Sequence, residues 1–104
     1  MQLSDESKKR IIDAADNTEF KWIDTVRNVI EEYANSEIGK SELEHNNEVN
    51  KVFDKIIDMI YMLNSMNEVV IIGEICNNKY YEKSEELYKE IKKDLIKMLE
   101  IENI

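Results

Sequence analysis

The stretch from Ser41 to Cys76 constrains the fold more than any other part of the chain, because its apolar residues recur at helical intervals. In its first half these residues follow the i, i+3, i+4, i+7 spacing of a helix that buries one face. They are Val49, Val52, Phe53, Ile56, Met59, Ile60 and Leu63. Ser41 and Glu44 have the spacing of a capping box, in which each side chain bonds the backbone amide of the other residue. The pattern predicts one long central helix over residues 42–76, with residues 64–67 as the place where it can kink.

A second apolar stripe begins beyond Leu63 and lies roughly opposite the first one on the helical wheel. Its members are Val69, Ile72, Ile75 and Cys76. A helix that is apolar on two sides must be covered on both, either by another part of the chain, such as Ile101 and Ile104, or by a second molecule. A buried strand through residues 69–75 is the other interpretation of so short an apolar run. We reject it because no other segment offers a strand to pair with.

The composition also favours helices, since the chain of 104 residues has no proline and only two glycines. Ser4 can cap a first helix over residues 4–16 and Thr18 a second over 18–34, with one continuous helix over 4–34 as the alternative. Gly39 can take a left-handed conformation that ends the second helix. A last helix is expected over residues 84–101. The sequence thus predicts an all-α fold, a compact bundle of three to four helices in a single domain of residues 1–104.

The second and the last predicted helices each carry one apolar face. Trp22 is the only tryptophan and should anchor the core, with its indole N–H near a partner or at an edge. The connection from the second helix to the central one is short, which implies antiparallel neighbours. The residues of the last helix that should point inward are Leu87, Tyr88, Ile91, Leu95, Met98 and Leu99.

The net charge of −9 comes from 23 acidic and 14 basic residues. A surface of this sign disfavours direct contact with nucleic acid phosphates and favours protein partners that carry a basic surface. The single cysteine, Cys76, excludes an intramolecular disulfide and is typical of a reducing compartment. The longest apolar run is too short for a membrane span, and the N-terminal MQLSDESKKR lacks the apolar core of a signal peptide. We therefore expect a soluble, cytoplasmic protein that makes no membrane contact.

No group of residues has the pattern of a catalytic or metal site. Glu42 and His45 have the Glu-x-x-His spacing of di-iron bundles, but that site needs a second such pair and two further carboxylates. Asp54 and Asp58 could share Mg²⁺ as in metal-dependent all-α nucleotide hydrolases, but they lie opposite the predicted apolar face. Cys76 and His45 are too far apart along one helix to react together, and no phosphate-binding glycine loop is present. The sequence predicts no catalytic residue, no metal ligand and no cofactor, so we expect a protein that is not an enzyme.

Leu63, Asn64 and Glu68 form a Leu-Asn-x-x-x-Glu pattern within the stretch MLNSMNEVVIIGEICNNKYY. This stretch, about a fifth of the chain, resembles bacterial helical domains of unknown function in which apolar residues and a turn follow the same pattern. The resemblance implies a continuous helix in this region and implies no activity. The bias toward Asn, Ile, Lys and Glu also resembles that of small proteins of AT-rich Firmicutes and their phages.

Acidic residues are concentrated around Gly39, where six glutamates stand against one lysine, Lys40. They are Glu31, Glu32, Glu37, Glu42, Glu44 and Glu48. Clustered carboxylates can occupy a basic groove of another protein and steer its association. We therefore expect a protein-binding module like the small inhibitors and immunity proteins of phages and mobile elements, which block a partner, including one that handles nucleic acid. The alternative is a structural or regulatory homodimer in which the second apolar stripe pairs about a two-fold axis.

Overall fold

A computed structural model describes the backbone of residues 1–75 and 81–101, and the side chains of residues 1–68 and 83–101. These residues form five helices and no strand: α1 (Asp5–Ala14), α2 (Glu19–Asn35), α3 (Glu37–His45), α4 (Asn47–Ile75) and α5 (Tyr81–Met98). The all-α prediction is confirmed, whereas the expected number of three to four helices is too low. α1 packs on α2, α2 on α4 and α4 on α5, and the short α3 packs against both α2 and α4.

The break between α1 and α2 covers residues 15–18 and ends at Thr18, the predicted cap of the second helix. α1 begins after Ser4, whose hydroxyl accepts a hydrogen bond from the amide of Ser7 at 3.1 Å. α2 begins after Thr18, whose hydroxyl accepts one from the amide of Lys21 at 3.3 Å. Each cap supplies a side-chain acceptor to helix amides that have no carbonyl partner. The prediction of two helices within residues 4–34 is confirmed.

The predicted start of the central helix at Ser41 is wrong, because Ser41 lies inside the separate helix α3. This helix begins after Ser36, whose hydroxyl accepts a hydrogen bond from the amide of Gly39 at 3.0 Å. The left-handed conformation expected of Gly39 is also wrong, since this residue is buried within α3 and has no positive φ. A β-carbon on Gly39 would lie 2.6 Å from the carbonyl carbon of Tyr33 and closer still to the carbonyl oxygen. The glycine therefore permits the close approach of two helices and does not form a turn.

α4 begins directly after Asn46, which interrupts the predicted helix and caps the next one. Its backbone is extended (φ −126°, ψ 103°), and its side-chain oxygen accepts hydrogen bonds from the amides of Glu48 at 3.0 Å and Val49 at 3.2 Å. The side-chain amide of Asn50 also donates to the carbonyl of Leu43, which ties the first turns of α4 to α3. From there α4 continues without a break through residues 64–67. The central helix is thus shorter at its N-terminal end than predicted, and its expected last residue, 76, lies outside the described backbone.

The core is formed by buried side chains from α1, α2, α4 and α5. Trp22 is 1% exposed, as expected of a core anchor, but its indole N–H has no hydrogen-bond partner within the part of the chain that the structure describes. Leu87 is 48% exposed and does not belong to the core, because it lies about 100° around the helix from Tyr88, at the margin of the buried arc. Among the described residues, the largest fully buried side chains are Ile11, Trp22, Val26, Val29, Ile30, Ile56, Leu63, Leu95 and Leu99.

α5 ends in a hydrogen-bonding pattern that requires one left-handed residue. The amide of Ile101 donates to the carbonyl of Ile96 at 3.2 Å, and the amide of Glu100 donates to the carbonyl of Lys97 at 3.0 Å. These two bonds define a Schellman motif. Glu100 occupies its left-handed position with a φ of 56°, which is favoured for glycine. The residue that follows, Ile101, is buried in the core, whereas Ile104 lies outside the described residues.

Replacing Glu100 with glycine should raise the free energy of unfolding by about 1 kcal/mol, because glycine adopts the left-handed conformation without the clash of a β-carbon. Removing a carboxylate from the C-terminus of α5 acts in the same direction, since the helix dipole disfavours negative charge there. Glu90→Gly is the matched control, because Glu90 is exposed within α5, where glycine should lower stability by about 1 kcal/mol. Urea unfolding measures both differences, and two changes of the same sign would refute the interpretation.

Candidate protein-binding surface

Five of the six glutamates expected to bind a partner are exposed on three consecutive helices, and one of the five, Glu32, also pairs with Arg10. Glu31 lies near the end of α2, Glu37 and Glu44 lie in α3, and Glu48 lies in the first turn of α4. Glu37 and Glu44 are seven residues apart, so they share the outer face of α3, opposite the buried Gly39. This part of the surface therefore presents carboxylates to the outside from each of the three helices.

Two of the six glutamates interact within the chain. Glu32 is exposed but accepts a hydrogen bond from the guanidinium of Arg10 in α1 at 2.5 Å, and this bond raises the pKa of Arg10. Glu42 is half-buried, accepts a hydrogen bond from the hydroxyl of Tyr33, and lies 3.8 Å from the ammonium group of Met1. Burial of the Tyr33 ring, and then this hydrogen bond, raise the pKa of Tyr33. Glu42 is therefore a structural carboxylate that joins α2 to α3.

An apolar groove lies beside these carboxylates, between the N-terminal segment, the end of α2 and the start of α3. Its volume is about 410 Å³. Ile38 is 62% exposed at this groove, so apolar surface faces the outside. The residues that line the apolar groove are Gln2, Leu3, Ser4, Ser7, Glu32, Tyr33, Ser36 and Ile38.

Most hydroxyl groups of the apolar groove are already hydrogen-bonded within the protein. The hydroxyl of Ser4 accepts from the amide of Ser7 and donates to the hydroxyl of Ser7 at 3.0 Å. The hydroxyl of Ser36 donates to the carbonyl of Tyr33 at 2.7 Å, in addition to capping α3. The hydroxyl of Tyr33 is bonded to Glu42. An apolar group can enter the groove without breaking these bonds, so the groove favours apolar ligands.

A polar depression adjoins the apolar groove and shares Glu32 and Ser36 with it. Its volume is about 430 Å³. Besides the two shared residues, Asn28, Glu31 and Asn35 line it. Carboxylate and amide oxygens accept hydrogen bonds, so the polar depression suits a cationic donor group.

The predicted dimer face of Val69, Ile72, Ile75 and Cys76 lies outside the described side chains, and Cys76 also lies outside the described backbone. Two large side chains that precede this stripe on α4 are exposed, Tyr61 at 72% and Met62 at 48%. In its described part, α4 therefore presents apolar surface to the outside.

A second polar cluster joins the first turn of α2 to α5. Glu19 accepts a hydrogen bond from the hydroxyl of Tyr88 at 2.6 Å and forms an ion pair with Lys92 at 3.0 Å. The ammonium of Lys92 also lies 4.5 Å from the centre of the Trp22 ring, which is a cation–π contact. Burial of the Tyr88 ring, and then its bond to Glu19, raise the pKa of Tyr88. The cluster holds α5 in position relative to α2.

Replacing Tyr88 with phenylalanine should cost about 1.5 kcal/mol at pH 7, the net contribution of a hydrogen bond to a charged group. This difference from the wild type should shrink above about pH 10, where the unfolded chain loses the phenol proton but the folded protein retains it. In that range unfolding releases a proton, so the free energy of unfolding of the wild type falls relative to the variant by about 1.4 kcal/mol per pH unit.

Urea unfolding between about pH 7 and about pH 11 measures this difference. Tyr61→Phe is the control, since it removes a hydroxyl from an exposed ring and should leave the difference from the wild type constant. A Tyr88→Phe difference that also stays constant would show that Tyr88 does not hold its proton as described.

The residues considered for catalysis or metal binding do not converge where the structure describes them, and Cys76 lies outside the described residues. Asp54 and Asp58 are exposed on α4, and His45 is exposed at the end of α3, with Nδ1 3.0 Å from the carbonyl oxygen of Ser41. Among the described side chains, no three His, Cys, Asp or Glu residues are placed to hold a metal ion. Within the described residues, no helix has the length and apolar character needed to cross a membrane.

No family model, curated protein or solved structure matches this chain.

The sequence pattern did not reveal the apolar groove, because its lining comes from separate segments. Leu3, Tyr33 and Ile38 have no spacing that would place them on one helical face. The one trace in the sequence is Ile38, the only large apolar residue between Tyr33 and Leu43. A single apolar side chain is common on protein surfaces, so this residue alone does not predict a groove.

Proposed function

We propose that the protein is a non-enzymatic protein-binding module that acts in the cytoplasm and blocks a partner with a basic surface. Small inhibitors and immunity proteins of phages and mobile elements act in this way, and the partner can be one that handles nucleic acid. One observation carries the proposal: exposed carboxylates and an apolar groove occur together on the surface formed by α2, α3 and the N-terminal segment.

The carboxylates and the apolar groove contribute to binding in different ways. Exposed charges steer a basic partner and raise the rate of association, and several ion pairs acting together add affinity that salt weakens. Apolar contacts at the centre of an interface add affinity that does not depend on these charges. Glu37, which directly precedes the exposed Ile38, and Glu31, which lines the adjoining polar depression, fit this arrangement of a charged rim around an apolar centre.

Reversing the charges of Glu37 and Glu44 tests the proposal. Both side chains are exposed on the outer face of α3, so the double variant Glu37→Lys/Glu44→Lys should fold, whereas a change of Glu42 would also remove its bond to Tyr33. The immobilised wild-type protein, exposed to an extract of the cells that produce it, should retain a partner at about 0.1 M salt and release it at about 1 M. The reason is that the screening length falls from about 10 Å to about 3 Å. The reversed variant should not retain this partner at either salt concentration.

Glu86→Lys/Glu90→Lys is the control, because it changes the net charge equally on the exposed face of α5. This variant should retain the partner as the wild type does. A partner held equally by all three proteins, or held equally at both salt concentrations, would rule out the proposed surface.

A structural or regulatory homodimer is the second candidate, favoured by the exposed Tyr61 and Met62. In such a dimer α4 would pair with its copy about a two-fold axis, with the stripe that includes Ile72 in the interface. Sedimentation velocity separates the two candidates. A protein that stays monomeric at high concentration is not this dimer, and a dimer that persists after Met62→Glu or Ile72→Glu does not use this face.

A further inference from the structure

We infer that the partner binds through a segment in which a large apolar side chain stands within a few residues of an arginine or lysine. The apolar side chain fills the apolar groove, and the cationic group enters the polar depression. This inference rests on the proposed function and specifies the chemistry of the partner. The two cavities share Glu32 and Ser36, so one short segment can occupy both.

The apolar groove selects the apolar part of this segment. Its volume of about 410 Å³ is near the lower limit of ligand-binding pockets, and it therefore suits a side chain or two. Leu3, Tyr33 and Ile38 provide its apolar surface, and the hydroxyl of Tyr33 is bonded to Glu42. A polar ligand would find few acceptors or donors to replace its bonds with water, so it would bind less well than an apolar one.

The polar depression selects the cationic part. The carboxylates of Glu31 and Glu32 are the charged groups of its lining. The bond from Arg10 to Glu32 shows that one of these carboxylates already binds a guanidinium within the chain. A guanidinium presents several N–H donors in a plane and can bond a carboxylate through two of them, so arginine should bind better than lysine. Phosphate groups and nucleic acids would be repelled by the same carboxylates.

A displayed library of short random peptides, selected on the entire chain, tests the inference. Enriched peptides should contain a large apolar residue within a few positions of arginine or lysine. Ile38→Asp should weaken the binding of a synthesised peptide by about tenfold or more, as expected for an apolar residue at the centre of an interface. Glu31→Lys should also weaken it by about tenfold or more, because it places a like charge against the cationic group of the peptide. Both residues are exposed, so neither change should prevent folding, and circular dichroism verifies this.

Leu87→Asp and Glu86→Lys are the matched controls, because they change an exposed apolar residue and an adjacent exposed glutamate on α5. Neither should alter the dissociation constant of the peptide. No enrichment, enriched peptides without a basic residue, or peptides that bind Ile38→Asp as well as the wild type would each overturn the inference.

The inference and the proposed function can fail separately. A cellular partner that depends on salt and on Glu37 and Glu44, but binds Ile38→Asp normally, would remove the groove as its site and leave the proposed function in place. The absence of any partner that depends on salt and on these charges would remove the proposed function itself.

Discussion

Replacing Gly39 with alanine should lower the free energy of unfolding by about 3 kcal/mol, at the upper end of what an overpacked site usually costs. The new β-carbon would lie 2.6 Å from the carbonyl carbon of Tyr33 and 3.0 Å from the hydroxyl of Ser36. The first of these atoms belongs to the backbone of α2 and cannot move alone, so α3 must shift as a unit. The advantage of about 1 kcal/mol that alanine normally has over glycine within a helix is too small to offset this clash.

Ser41→Ala is the control for Gly39→Ala, because Ser41 is exposed within the same helix and alanine is a better helix former than serine. Urea unfolding of this variant should show a stability equal to or slightly above that of the wild type. If Gly39→Ala were as stable as Ser41→Ala, the close approach of α3 to Tyr33 would be incorrect. The same shift of α3 would displace Ile38, so Gly39→Ala should also weaken any ligand of the apolar groove.

The boundary between α1 and α2 could be predicted from the sequence, whereas the boundary between α3 and α4 could not. Asp16, Asn17 and Thr18 are three consecutive residues that favour caps, so they place the break within a few residues whichever of them forms the cap. Between residues 36 and 46, however, a serine, a capping-box pattern and an asparagine are all acceptable helix starts. Contacts between residues of different helices decide which of these helix starts is used.

Two such contacts fix the position of α3. The buried Gly39 lets the helix approach the carbonyl of Tyr33, and the side chain of Asn50 donates to the carbonyl of Leu43 at the end of α3. Both join residues six or seven positions apart across a helix boundary. Periodicity within one helix carries no information about them.

The charge of the candidate surface could be predicted from the sequence. Which carboxylates are exposed and which are bonded within the chain could not. A count of glutamates does not distinguish the exposed Glu37 and Glu44 from Glu42, which accepts a bond from Tyr33. The distinction depends on which face of α3 packs against α2. This face could not be identified from a helix that was predicted to start at Ser41. Once α3 begins after Ser36, the spacing of seven residues places Glu37 and Glu44 together on the outside.

Replacing Asn67 with leucine should raise the free energy of unfolding by about 2 kcal/mol. Asn67 is 6% exposed in α4, and its side-chain nitrogen has no hydrogen-bond partner among the described residues. It is four residues beyond the buried Leu63 and therefore continues the core face of the helix. A buried donor without a partner costs about 1–3 kcal/mol, and leucine removes that cost and adds apolar contacts.

Asn50→Leu in the same helix is the matched control, and it should change the free energy of unfolding in the opposite direction. The amide of Asn50 donates to the carbonyl of Leu43, so leucine at this position removes a hydrogen bond and should lower stability by about 1 kcal/mol. Urea unfolding of the two variants should therefore give changes of opposite sign. A loss of stability in Asn67→Leu would mean that its amide has a partner, such as a bound water molecule, that the leucine displaces. The stability could instead rise while the dependence of the unfolding free energy on urea concentration becomes smaller. That result would mean that Asn67 holds α4 in a single packing arrangement, because a polar core residue can determine helix register at the cost of stability.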